Sequence, residues 1–290
     1  MPKEKAVEGS DIRVETISES VPSLLVRDCG IDVEIFRLPQ SGRDDFRSAI
    51  AFAPHKSGSV LLRNILSDLC TKAGISFVNL PGLCFQKGVE VSKLPSDTAK
   101  IFRPRGYLYG IFRSWPENFS IPILPTSRPI LLVRDPRDRL VSYYYSMLKS
   151  HPLPKVQHLS QYRITLEDRP IAQNSSVDEF AIICSQKFLE QMRALRMELC
   201  EKVGAHVYKY EDVVYDKDSW VKSIVRHYRW EVSDIECGHI AARHDQFPAE
   251  DSENHIRQVH PGDFQRKLKK ETITYLSSAF AEEMEFFGYR

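Results

Sequence analysis

Long apolar runs are missing from this sequence. Nothing in its 290 residues approaches the roughly 18 consecutive apolar residues of a membrane span. The start, Met1-Pro2-Lys3-Glu4-Lys5, is polar with no apolar stretch behind it, so no signal peptide is expected. An excess of either charge is missing too. The chain has 40 basic and 39 acidic residues, a net charge of +1, and no global field that would draw nucleic acid. A local basic site stays open. Paired cysteines are absent: Cys29, Cys70, Cys84, Cys184, Cys200 and Cys237 are scattered, which fits reduced thiols and a cytoplasmic location. Cys237, His239 and His244 supply one thiol and no second ligand pair at metal spacing, so no metal is expected. Repeats and low-complexity tracts are also lacking. What is left is 42% hydrophobic and 27% charged, the composition of a soluble globular protein with room for one large α/β domain or two small ones.

The chain is organised around Ile50-Ala51-Phe52-Ala53-Pro54-His55-Lys56-Ser57-Gly58-Ser59. Its first four residues read as the end of a buried strand, Pro54 breaks it, and Gly58 turns it. Val60, Leu61, Leu62, Ile65, Leu66 and Leu69 then recur at helical spacing, so a helix starts near Ser59. Residues 1–45 read as a short lead-in with an edge hairpin. Further strands are expected at 75–78, 107–112, 129–133 and 206–210, and helices at 136–148, 177–202, 220–228 and 270–287. Asp135 and Pro136 make a fitting N-cap and first helical residue. Residues 149–175, with their prolines and weak periodicity, read as a loop or lid over a substrate. Strands alternating with helices predict a three-layer α/β sandwich with a mainly parallel central sheet.

A strand, a tight turn with Lys56, Ser57 and Ser59, and a helix form an anion cradle. The first N–H groups of the helix lack partners, and its dipole favours negative charge there. The Walker A pattern Gly-x-x-x-x-Gly-Lys-[Ser/Thr] is absent. Arg113, Arg134 and Tyr210 fall, like the cradle, at carboxyl ends of predicted strands, where ligands of such sheets bind. Arg134 and Ser142, two helical turns apart, could clasp a phosphate; the same spacing also allows Arg134 an ion pair with Asp138.

At these residues the sequence resembles the sulfotransferases that use 3′-phosphoadenosine 5′-phosphosulfate (PAPS), in their soluble branch. That family's Pro-Lys-Ser-Gly-Thr-Thr-Trp-Leu corresponds to residues His55 to Leu62. Its Arg-[Asn/Asp]-Pro-x-Asp-x-x-x-Ser corresponds to Arg134 to Ser142 throughout. Its Tyr-Glu-Asp is Tyr210-Glu211-Asp212, and its late Arg-Lys-Gly-x-x-Gly-Asp motif starts at Arg257-Gln258-Val259. The resemblance implies a P-loop-like sulfotransferase domain over residues 46–290 and transfer of a sulfonate from PAPS, without metal, to a hydroxyl or amine of a small-molecule acceptor. It implies that Lys56, Ser57, Gly58, Ser59 and Val60 hold the 5′-phosphosulfate, that Arg134, Ser142, Arg257 and Gln258 hold the 3′-phosphate, and that Tyr210 touches the adenine.

Three departures stand out. Gln258 and Val259 replace a lysine and a glycine of the late motif, Leu61 replaces an adenine-stacking tryptophan, and Arg113-Ser114-Trp115 replaces a Lys-Thr-His that carries the family's base. Glu117 and His55 are the candidates for that base, with Glu117 preferred. The alternatives are a small-molecule kinase and a nucleotide-binding protein of the same fold without turnover.

Overall fold

The computed structural model describes residues 11–18, 21–28, 31–87, 89–150, 160–246 and 259–290. Strands β1 (Asp11–Ser18), β2 (Val21–Asp28) and β3 (Ile31–Arg37) pair antiparallel in a sheet of their own. This corrects the single edge hairpin read from the sequence. Val14, Leu24, Phe36 and Leu38 share an apolar cluster with Tyr107 and Tyr109, so the small sheet is packed onto the main core.

The central sheet holds β4 (Ala49–Phe52), β5 (Ser76–Val78), β6 (Tyr107–Phe112), β7 (Ile130–Val133) and β8 (His206–Lys209) in the order β5-β6-β4-β7-β8, all parallel. Every residue of β4, β6 and β7 is buried, as expected of strands covered on both faces. The helices are α1 (Ser59–Ala73), α2 (Leu80–Gln86), α3 (Pro136–Tyr145), α4 (Ser160–Asn174), α5 (Val177–Ala194), α6 (Tyr210–Val213), α7 (Lys217–Tyr228), α8 (Asp234–His244), α9 (Phe264–Lys267), α10 (Lys270–Ala279) and α11 (Ala281–Phe286). Alternation along β4 divides them into layers. Ala49, Ala51 and Ala53 join α1, α7 and α8 in one cluster, while Ile50 and Phe52 join α3, α5, α10 and α11 in the other. Small side chains on the first face let α1 lie close to the strand that feeds it. The result is a three-layer α/β sandwich.

Two further expectations change. Residues 160–174 are helical, not a loop, although Pro170 lies inside α4. Tertiary contacts outweigh the local signal there. Ala172 is buried, Arg169 Nε donates to the Met147 carbonyl at 3.1 Å, and buried Asp168 accepts from Tyr143 and Lys187. Residues 151–159 of the expected lid lie outside the described residues. The closing helix is two, α10 and α11, separated at Phe280, whose side chain is fully buried.

Strand order reverses at β4. From there the chain runs out to the edge strand β5, returns to β6 beside β4, then crosses to β7 and β8 on the other side. The crevice beyond the carboxyl ends of β4 and β7 is therefore the topological switch point, where sheets of this kind bind ligands.

Candidate active site

The loop from Pro54 to Gly58 leaves β4 at that crevice. Its tightness comes from two left-handed residues, Lys56 at φ 65° and Gly58 at φ 86°. Gly58 is the N-cap of α1, and the first intrahelical bond runs from Leu62 N to Gly58 O at 3.0 Å. The N–H groups of Ser59, Val60 and Leu61 precede that bond, which leaves the helix end open to an anion. Gly58 also serves packing: a Cβ there would stand 2.8 Å from Cδ2 of Tyr210. The Tyr210 ring thus lies directly against the loop.

Tyr210 opens α6 after β8 and links three of the motifs. The guanidinium of Arg134 lies over the ring, with Cζ 4.7 Å from its centroid. Its hydroxyl donates to the Val259 carbonyl at 2.8 Å. Burial raises the Tyr210 phenol's pKa, against the opposing field of Arg134. The tyrosine is thus a buried wedge between the cradle, the second motif and the late motif.

Arg134 follows β7 and is 5% exposed. It does form the ion pair with Asp138, Nη2 to Oδ2 at 3.2 Å. Asp138 does more than neutralise it. Its Oδ2 also accepts from Gly262 N at 2.7 Å, and its Oδ1 from Phe264 N at 2.9 Å. One buried carboxylate therefore fastens the late loop to the first turn of α3. The turn before it is braced from behind. Asp135 caps α3 by accepting from Arg137 N at 2.9 Å, and its own N–H donates to Glu211 Oε1 at 2.9 Å. Glu211 Oε2 accepts from Tyr289 at 2.9 Å, and burial raises the Glu211 carboxyl's pKa. Ser142 is half-buried on α3.

Two cations that the motif comparison assigned no role join the cradle. Arg139 is fully buried; its Nε donates to the His55 carbonyl at 2.9 Å, and its Nη2 donates to Gln191 Oε1. Burial pushes its pKa down to about 9. Arg113, at the end of β6, places Nη1 3.1 Å from His55 Nδ1, and burial, then Arg63, lowers its pKa. Arg139 carried no sequence signal that set it apart from the other charges of Arg137-Asp138-Arg139. Arg113 carried only its position at a strand end.

Of the expected site residues, the structure gathers Lys56, Ser57, Gly58, Ser59, Val60, His55, Arg134 and Tyr210 around one crevice. Glu117 is exposed on the loop after β6, two residues beyond Trp115, which stacks on Phe52 at 6.2 Å. Arg257 and Gln258 lie outside the described residues. At this crevice three buried donors lack a partner among the described residues, Ser57 Oγ, Arg134 Nε and Arg139 Nη1; elsewhere Ser23, Thr98, Arg196, Trp220 and Trp230 also carry such donors. Buried polar groups are rarely left so, and donors gathered at a helix N-terminus call for an anion.

A parallel α/β sheet with a cationic strand-to-helix cradle at its switch point is an architecture suited to an anionic ligand. The chain belongs to the sulfotransferase family: the sequence model of the sulfotransferase domain matches residues 119–288, which include Arg134, Tyr210 and the late motif. The Lys56 loop precedes that span. Mouse sulfotransferase SULT7A1 complexed with PAP is similar at TM-score 0.57 and 16% identity, covering 91% of this chain and 95% of its own. Two structures of retinol dehydratase are similar at TM-score 0.52. One, in complex with androsterone and the inactive cofactor PAP, is 12% identical; the other, with retinol and PAP, is 14% identical. Each covers 93% of this chain and 92% of its own. These likenesses concern the fold. No curated relative matches the chain. No described helix is long and apolar enough to cross a membrane.

Proposed function

We propose that this protein transfers a sulfonate group from PAPS to a hydroxyl or amine of a small-molecule acceptor by in-line displacement, with residues 46–290 as the catalytic domain and 1–45 as a lead-in. The observation that carries the reading is the set of buried donors without partners, Ser57 Oγ, Arg134 Nε and Arg139 Nη1, around one loop. The two phosphorylated ends of PAPS fit that set: one at the cradle of Lys56, Ser57, Gly58, Ser59 and Val60, the other at Arg134 and Ser142, with Arg257 and Gln258 added by the motif. Tyr210 then serves the adenine end.

Positioning and charge neutralisation dominate such transfers. Lys56 neutralises the charge that grows on the bridging oxygen as the sulfonate leaves, a charge largest in the transition state. Glu117 takes the acceptor's proton in this scheme, with His55 as the other candidate. No metal takes part. The described cysteines, Cys70, Cys84, Cys184, Cys200 and Cys237, are free thiols, which supports a reducing compartment such as the cytoplasm.

Thermal shift tests the reading. Adenosine 3′,5′-bisphosphate should raise Tm without metal, by about 2.7 kcal/mol of added stability at 100 times its Kd. Stabilisation by ATP with Mg²⁺ and none by the bisphosphate would favour a kinase instead. Binding of the bisphosphate without turnover on any acceptor would favour an inactive nucleotide-binding protein.

A further inference from the structure

The turn that carries Lys56 adopts a form that lysine does not favour. Ser57 N donates to the Pro54 carbonyl at 3.2 Å, which closes a four-residue turn with His55 and Lys56 at its centre. Lys56 has φ 65°, and His55 is not among the residues of positive φ. That combination makes a type II turn, whose third position ordinarily holds glycine or asparagine. A lysine there is kept in the left-handed region against its own preference. The type I alternative has the same closing bond and a negative φ at the third position. The two forms differ by a half-turn of the central peptide, the plane between His55 and Lys56.

A bond to that plane favours the type II form. The His55 carbonyl accepts from Arg139 Nε at 2.9 Å. Arg139 is anchored in turn: its Nη2 donates to Gln191 Oε1 on α5, and its Cζ lies 4.8 Å from the centroid of the Phe188 ring. These partners are all neutral, and no carboxylate among the described residues pairs with this fully buried guanidinium. A buried cation without an acid is costly, so stability alone does not account for it. The carbonyl it holds does.

The His55–Lys56 peptide is trans, so its C=O and N–H edges point in opposite directions. The carbonyl edge points inward to buried Arg139, and the Lys56 N–H edge points outward, to the crevice. After a half-turn the edges would exchange. An anion in the cradle would then meet the negative end of a carbonyl.

We propose that Arg139, anchored on Gln191, is a positioning residue that keeps the His55–Lys56 peptide in its type II orientation, and that this orientation admits the 5′-phosphate end of the donor nucleotide to the cradle. The first half stands on the geometry of the turn; the second rests on the sulfotransfer reading. Arg139 thus serves the 5′ end as Arg134 serves the 3′ end.

A crystal structure of Arg139→Met, a side chain of similar length without donors, reads the turn directly. Lys56 should show a negative φ, with the bond from Ser57 N to the Pro54 carbonyl kept. A positive φ at Lys56 would overturn the proposal. Arg139→Lys can still donate to the carbonyl, so it should keep the positive φ and bind adenosine 3′,5′-bisphosphate within about fivefold of wild type. Failure to recover any of what Arg139→Met loses would count against the carbonyl bond as the cause.

Titration calorimetry with two ligands tests the second half. Adenosine 3′,5′-bisphosphate carries the 5′-phosphate and adenosine 3′-monophosphate does not. Arg139→Met should weaken the first by roughly 10- to 100-fold, the worth of a charge-assisted bond, and the second by less than about threefold. Equal losses, or no loss in a folded variant, would overturn the positioning role. A loss confined to the bisphosphate with φ still positive would assign the effect to the charge of Arg139 and overturn it as well. Should Arg139→Met fail to fold, Gln191→Ala takes its place: without the anchor for Nη2 the bisphosphate should bind roughly two- to fivefold more weakly, and the monophosphate as in wild type. Wild-type affinity for both would overturn the proposal. Binding of neither nucleotide by the wild-type chain would count against the sulfotransfer reading, while φ at Lys56 in Arg139→Met would still decide what Arg139 holds.

Discussion

Asp138→Asn is the substitution that should reveal most about how the site is held. The asparagine has the same shape and loses one acceptor oxygen. In the native chain Oδ1 receives Phe264 N, and Oδ2 receives both Gly262 N and Arg134. Whichever way the amide is turned, one backbone N–H faces an NH₂ group. A buried donor without an acceptor costs about 1–3 kcal/mol. Arg134 at the same time loses its charge partner, and removing one member of a buried pair costs about 3–5 kcal/mol. The two losses share atoms and do not add in full, so the expected total is about 3–5 kcal/mol. At 2–4 °C for each kcal/mol, Tm should fall by roughly 6–20 °C. Calorimetric unfolding of wild type, Asp138→Asn and Asp138→Ala gives the measurement, and the alanine variant should lose at least as much. A fall under about 1 kcal/mol for the asparagine variant would show that this carboxylate does not hold the late loop.

Arg134→Ala should weaken binding of adenosine 3′,5′-bisphosphate by roughly 10- to 100-fold, the worth of a charge-assisted bond, and spare a nucleotide without the 3′-phosphate; equal losses for the two ligands in titration calorimetry would refute the assignment. Gly58→Ala puts a Cβ 2.8 Å from Tyr210 on a residue at φ 86°, so it should lose about 1–2 kcal/mol from backbone strain alone and more from the ring it displaces. A variant that melts and binds the bisphosphate like wild type would show that Tyr210 is not wedged there. Glu211 gives a pH signature. Its pKa is raised in the folded chain by burial, so its contribution is most favourable below the ordinary carboxylate pKa and is lost as pH rises through the folded value. Glu211→Gln keeps an acceptor for Asp135 N and avoids the buried charge. Its stability relative to wild type, from urea melts, should therefore rise between about pH 4 and about pH 7.5; a flat or falling difference would contradict the burial of the charge.

The parts of this architecture that a sequence shows are those set by local rules. The cap at Asp135, the proline after it and the apolar period of α1 are short-range, and each lies where its residues predict. The Arg134–Asp138 pair was readable as one turn of helix. The bonds of Asp138 to Gly262 and Phe264 were not, because no spacing rule links residues 124 and 126 positions apart. The helix α4 was hidden by Pro170 and by partners that lie elsewhere in the chain, Tyr143 on α3 and Lys187 on α5. Likewise Arg139 reads as one more charge in a charged motif until the fold buries it under His55. In the first sheet a third strand was missed because a run of alternating residues does not state how many neighbours it pairs with.

The fastening of the late loop to α3 by Asp138 also bears on how the molecule is made. A chain leaving the ribosome presents β4, the cradle and β7 well before residues 259–264 are synthesised. Until then Arg134 keeps its near partner, but Asp138 lacks two of its donors and Tyr210 lacks the carbonyl that receives its hydroxyl. Contacts this far apart in sequence form late, because a long loop must close before they return any free energy. The site is accordingly among the last features to assemble. A nascent chain interrupted before residue 264 can hold much of the sheet and still have an incomplete crevice.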